Sequence, residues 1–157
     1  MAVFDASQAL EMALKIEENG EAFYRAAAER ADDADIAELF KDLAGRERAH
    51  YQTFEEMAEG VGPSTKPGGE GVGDYASFLE VALDHALFAG PDKAVRMAEE
   101  AQARPAALRA AMGFEKDTML FYYELRELVG DADREIVADI IREEKQHLRR
   151  LAKMVQG

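Results

Sequence analysis

Two of the three histidines in this chain follow a glutamate by three residues, a spacing that presents both side chains on one helical face. The pairs are Glu47 with His50, in "ERAH", and Glu144 with His147, in "EKQH". Residues three apart on a helix are neighbours, so each pair can bind one metal ion or two adjacent ions. A lone Glu-x-x-His is a weak motif in a Glu-rich chain. The case for a metal site therefore depends on where the pairs lie in the fold.

Both pairs interrupt a stripe of apolar residues that recurs every three or four positions, as in a helix that packs against a core. The apolar members are Ile36, Phe40, Leu43, Phe54 and Met57 around the first pair, and Val137, Ile140, Leu151 and Met154 around the second. A carboxylate in a helical core persists when it is paired or coordinates a metal. Each pair is therefore predicted to face the interior.

An internal repeat relates the two halves of the chain. The segment "IEENGEAFY", residues 16–24, matches "FEKDTMLFY", residues 114–122, at an offset of 98 positions. The turn "DAD" at residues 33–35 recurs at 131–133. Each half thus reads as a helix, a short Asp-rich turn and a second helix, and the repeat makes Glu17 equivalent to Glu115.

The pattern predicts an all-α, four-helix bundle built from two helical hairpins, with extra short helices in a long crossover. One domain is expected, with the first hairpin over about 5–59, the crossover over about 60–104 and the second hairpin over about 105–155. The helices are predicted at about 5–30, 35–59, 75–89, 91–103, 105–129 and 131–155.

One glutamate from each of two helices and Glu-x-x-His from each of the other two form the ligand set of di-iron and di-manganese bundle proteins. The candidate metal ligands here are Glu17, Glu47, His50, Glu115, Glu144 and His147. Oxygen and imidazole ligands suit two iron ions, and manganese or zinc also fit. The sequence therefore predicts a dinuclear metal site.

The segments "ALKIEENGEAFY", "LAGRERAHYQTF", "GFEKDTMLFYYEL" and "IIREEKQHLRRL" resemble the rubrerythrin-like branch of the ferritin-like superfamily, over nearly the whole chain. The resemblance implies a ferritin-like bundle with a non-haem di-iron centre that reacts with peroxide or dioxygen. It implies that Glu47 and Glu144 bridge two metals, with Glu17 and Glu115 as terminal carboxylates. His50 and His147 would each cap one metal. A homodimer or larger homo-oligomer is also expected from the resemblance.

Two features depart from rubrerythrins proper. Those proteins carry a rubredoxin domain with four cysteines, whereas this chain has no cysteine, so an external electron donor such as a rubredoxin-like protein is expected. They also have an extra carboxylate one turn after the third-helix glutamate. Thr118 occupies that place here, which puts the associated carboxylate shift in doubt.

Several other polar residues have competing interpretations. Tyr24 and Tyr122 lie on the faces that carry Glu17 and Glu115, either to hydrogen-bond a ligand carboxylate or as ordinary core aromatics. Solvent-facing or packing positions are expected for the remaining candidates, which are Glu18, Glu21, Asp42, His85, Asp139 and Glu143.

The net charge of −13 disfavours nucleic acid and anionic membranes as partners. The N-terminal sequence lacks the pattern of a signal peptide, and no apolar stretch approaches the roughly 20 residues of a membrane span. Together with the absence of cysteine, these features predict a cytoplasmic protein.

Three functions suit this chemistry. The first is an oxidoreductase that reduces hydrogen peroxide or dioxygen at a dinuclear iron site. The second is a ferroxidase, for which ferrous iron is a substrate. The third is a non-catalytic bundle that a metal stabilises.

Overall fold

The computed structural model describes residues 5–63, 91–101 and 104–156, which form five helices and no strand. The helices are α1 (Ala6–Arg30), α2 (Ala34–Val61), α3 (Pro91–Glu100), α4 (Arg104–Leu128) and α5 (Asp131–Gln156). The predicted all-α class is confirmed, and α3 is one of the short crossover helices. The helix predicted at 75–89, with His85, lies outside the described residues.

Aspartates set the start of the first two helices. Asp5 accepts a hydrogen bond from the Gln8 amide at 2.9 Å, and the Gln8 side chain accepts one from the Asp5 amide at 3.1 Å. Asp33 accepts from the Asp35 amide at 2.9 Å. These caps satisfy amides that have no partner within the helix, so they fix where each helix begins.

The four long helices form two antiparallel hairpins that pack on each other. Helix α1 pairs with α2 and α4 pairs with α5, through turns of only a few residues. The hairpins meet where α1 contacts α4 and α2 contacts α5, and α3 packs along α1. The equivalent residues of the two hairpins therefore meet near the middle of the bundle.

Aromatic rings form much of the core around that middle region. Tyr24 packs against Phe23, Phe40 and Phe114, with ring centroids 5.4–6.1 Å apart. Tyr122 packs against Phe54 at 5.1 Å. These side chains are almost fully buried, so the polar residues between them lie in an apolar shell.

Exposed ion pairs join segments distant in sequence. Arg30 lies 2.7 Å from Glu99, and Arg104 lies 2.8 Å from Asp33. Such pairs contribute about 0–1 kcal/mol each, so the apolar core supplies most of the stability. In the described ranges, no helix combines the length and apolar character that crossing a bilayer requires.

Candidate metal centre

The six predicted ligands come together at the middle of the bundle as two overlapping groups. One group is Glu17, Glu47, His50 and Glu144, and the other is Glu47, Glu115, Glu144 and His147. Within each group, one ligand atom per residue lies within 4.8 Å of all the others. All six residues are at most 3% exposed. Glu47 and Glu144 belong to both groups, as two carboxylates between two cations would.

The two Glu-x-x-His turns face each other across the interface between α2 and α5. The imidazole rings of His50 and His147 stack with centroids 5.9 Å apart. His50 Nδ1 lies 2.9 Å from Glu144 Oε1 and 3.6 Å from Glu17 Oε1. His147 Nδ1 lies 3.6 Å from Glu115 Oε1. The repeat in the sequence thus becomes an approximate two-fold relation at the site.

Each tyrosine donates a hydrogen bond to the carboxylate of the opposite hairpin. Tyr24 on α1 donates to Glu115 on α4 at 2.5 Å, and Tyr122 on α4 donates to Glu17 on α1. Burial, then the nearby glutamates, raise the pKa of both tyrosines well above their usual value. Both phenols therefore stay protonated as donors and fix one oxygen of each terminal carboxylate.

Glu143 contacts one of the candidate ligands, which the sequence did not predict. A solvated position was predicted for it, and its side chain is 44% exposed, but its Oε2 lies 2.9 Å from His50 Nε2. Because that contact engages the outer nitrogen of His50, the inner Nδ1 is left facing the carboxylates. The signal in the sequence was only that Glu143 directly precedes Glu144.

The other candidate carboxylates lie away from the centre. Glu18 is exposed, and Glu21 pairs with Arg25 at 2.7 Å. Asp42 pairs with Arg150 at 2.6 Å, and Asp139 pairs with Arg142. None of these four contributes to either group of ligands among the described residues.

The buried polar atoms at the centre fit a pair of divalent cations. Six ligand atoms have no hydrogen-bond partner: Glu17 Oε2, Glu47 Oε1 and Oε2, Glu115 Oε2, Glu144 Oε1 and His50 Nδ1. The last two lie close together but are not aligned for a hydrogen bond. Buried carboxylate oxygens without partners are costly, so a cation is the occupant that would satisfy them together.

Burial and neighbouring charges also shift the pKa values of the residues at the centre. Burial raises the pKa of Glu47 and Glu115, and the charge of Glu144 raises both further. Burial acts to lower the pKa of both histidines, but the surrounding carboxylates outweigh it. The pKa rises to about 12 for His50 and to about 9 for His147. Near neutral pH and without a cation, bound protons therefore offset the negative charge of this cluster.

Glu144 is held in its ionised form. Burial opposes its ionisation, but the neighbouring Glu115, His147 and His50 side chains hold its pKa well below the usual range. An ionised carboxylate that faces protonated neighbours is the kind of arrangement that exchanges protons for metal ions.

Comparison with known proteins agrees with this geometry. The family model described as Rubrerythrin matches residues 8–155. A crystal structure from Thermotoga maritima, described provisionally as a ferritin-like diiron-carboxylate protein, is similar at 25% sequence identity and a TM-score of 0.70. That match covers 98% of this chain and 95% of the other. No curated protein sequence matches the chain.

The family match spans nearly the whole chain, and the fold and the buried Glu/His cluster suit the di-iron centre predicted from the repeat. The chain therefore belongs to the rubrerythrin family.

Proposed function

We propose that this protein is a non-haem di-iron oxidoreductase that reduces hydrogen peroxide or dioxygen with electrons from an external donor. The observation that carries the proposal is that Glu47 and Glu144 are shared by two ligand groups, each completed by its own glutamate and histidine. Family membership supports the same chemistry.

The residues divide naturally between two metal ions. Glu17 and His50 would hold one ion, Glu115 and His147 would hold the other, and Glu47 and Glu144 would bridge them. Four carboxylates balance the charge of two divalent ions, and this oxygen-rich set suits iron or manganese. Two iron ions, when bound, would supply the redox chemistry that these side chains lack.

The protein's own groups keep the ligands in one arrangement. Tyr122 and Tyr24 fix the terminal glutamates by hydrogen bonds, and Glu143 fixes the imidazole of His50. The buried rings of Phe54 and Phe114 pack against those tyrosines and keep bulk water away. Ligands held this way stay in place while the charge of the centre changes.

Reduction of one hydrogen peroxide to two waters consumes two electrons and two protons. The protein's own side chains supply neither electron, so a one-electron donor protein of the rubredoxin class is proposed as the partner that would replace the electrons used. The chain has no cysteine that could hold such a donor's iron itself.

The test loads the protein anaerobically with ferrous iron and then mixes it with one equivalent of hydrogen peroxide, or with air. Rapid oxidation, followed by its absorbance, is expected in the wild type. Glu47→Ala should abolish it, while Glu55→Ala, an exposed glutamate on the same helix, should not. A wild-type spectrum that stays unchanged over minutes would contradict the proposal.

The same experiment, repeated in air with ferrous iron in large excess over the protein, separates the two alternatives. A ferroxidase that passes iron on would keep oxidising ferrous ions well beyond the capacity of its own centre, whereas the proposed oxidoreductase stops when its resident iron is oxidised. A bundle that only uses metal for stability would bind metal and show neither reaction.

A further inference from the structure

Thr118 carries a buried hydroxyl that nothing in the described part of the chain satisfies. Its side chain is fully buried, and Oγ1 has no hydrogen-bond partner. A threonine inside a helix often donates to the carbonyl four residues earlier, as Thr53 does to Ala49 at 3.1 Å. The Thr118 hydroxyl is therefore not turned back onto its own helix, and a buried unsatisfied group of this kind calls for an occupant.

The position of Thr118 places that hydroxyl beside the metal centre. Glu115 lies three residues before it and Tyr122 four residues after it, so all three share one face of α4. Glu115 is a member of a ligand group, and Tyr122 donates to Glu17. The face between them is the one that α4 turns toward the centre.

The internal repeat gives independent evidence that Thr118 lies next to the metal centre. The residue of α1 equivalent to Thr118 is Gly20, at the same offset of 98 that relates Glu17 to Glu115. A Cβ atom on Gly20 would lie 3.1 Å from Glu47 Oε2. On α1, then, this helical position directly abuts a shared carboxylate, and Thr118 holds the equivalent place on α4.

We propose that the Thr118 hydroxyl binds the small ligand that the centre takes up from solution, of the class that includes water, azide and peroxide. The hydroxyl both donates and accepts hydrogen bonds, so it suits a small ligand with lone pairs. It is neutral, so it adds no fifth carboxylate charge. This assignment rests on the proposed function only in requiring a metal-loaded centre, and it holds whether or not the centre turns over.

The test measures azide binding to the ferric-loaded protein by the charge-transfer absorption band of ferric–azide complexes. Thr118→Val removes the hydroxyl and keeps the shape of the side chain. It should raise the dissociation constant of azide about tenfold, the effect of losing one hydrogen bond. Thr118→Ser should stay within about twofold of wild type, and so should Thr53→Val, which alters a threonine already bonded to its own helix.

A second readout needs no metal. Relief of an unsatisfied buried hydroxyl should move the urea midpoint of metal-free Thr118→Val upward relative to wild type, whereas Thr53→Val should not move it upward. Metal content of each variant is measured first. Where Thr118→Val does not hold two metals, Thr118→Ala, which also removes the hydroxyl, decides by losing azide affinity or keeping it.

Unchanged azide affinity in fully loaded Thr118→Val would overturn the assignment, and so would a wild type that binds two metals but no azide. A wild type that binds azide normally and reacts with neither peroxide nor air would instead count against the proposed function and leave the role of Thr118 standing.

Discussion

Tyr24 and Tyr122 each hold a carboxylate of the opposite hairpin, so they position the ligands and also join the hairpins. Replacing either with Phe leaves the ring and removes the donor. Partners of this kind are worth about 10–100-fold in metal affinity, and we expect a loss in that range by competition with a zinc chelator. Tyr123→Phe is the matched control, since its half-buried ring lies near Arg126 and Lys145 instead. Equal affinities in all three variants would show that the tyrosines only pack.

Glu143 is expected to position His50. Glu143→Gln keeps a group that can accept a hydrogen bond but removes the charge that holds the imidazole. Zinc affinity should fall about tenfold, and Glu135→Gln, an exposed change on the same helix, should have no effect. If Glu143→Gln bound zinc like the wild type, Glu143 would have no role in positioning His50.

For single residues, the sequence indicated which helix face a side chain lies on but not which residue it contacts. Periodicity placed Tyr24 and Glu17 on one face of α1, yet the Tyr24 hydroxyl reaches Glu115 on α4. Which hairpin a side chain reaches depends on how the helices pack, and spacing within one helix does not contain that information. The contact between Glu143 and His50 was not predicted for the same reason, because the two residues lie on different helices.

Between elements, α1 and α4 pack closely at Gly20. A Cβ there would lie 2.6 Å from Phe114 Cζ, which real Cβ atoms do not tolerate. Gly20→Ala should therefore lower the free energy of unfolding by about 1–3 kcal/mol, measured by urea denaturation. Gly45→Ala is the control, because a Cβ at Gly45 meets nothing within 4 Å and Ala favours a helix by up to about 1 kcal/mol. If Gly20→Ala proved as stable as Gly45→Ala, the close approach of the two helices would be wrong.

The helices themselves were predictable because caps and turns are local. The predicted bounds of the four long helices agree with the structure to within two residues, since Asp5 and Asp33 cap as their types suggest. The short crossover helix was predicted to reach residue 103 and ends at Glu100. It has no repeat partner, so the second half of the chain gave no check on its bounds.

For the whole molecule, the protonation of the centre predicts how the stability of the metal-free protein depends on pH. The folded-state pKa values of Glu47, Glu115, His50 and His147 are all raised, so the native state binds more protons than the unfolded chain. The contribution of the histidines to the free energy of unfolding is complete below their unfolded pKa of about 6.5. It is lost as pH rises through their folded pKa values. Glu144 acts in the opposite sense, but its lowered pKa matters only in acid.

The urea midpoint of the metal-free protein should therefore decrease as the pH is raised from 6 to 9. With zinc in excess the fall should disappear, because metal binding displaces those protons and strengthens as pH rises. A metal-free midpoint that rises over this range would contradict the protonation described for the centre.

Because Glu47 and Glu144 belong to both ligand groups, one chain is expected to hold two metal ions between them. The most direct test is the iron-to-chain ratio of ferrous-loaded, desalted protein, by elemental analysis, in the wild type and in Glu144→Ala. About two irons per chain are expected in the wild type, and both should be lost in the variant, because Glu144 belongs to both groups. A wild-type ratio of about one, or a variant that keeps both irons, would contradict it.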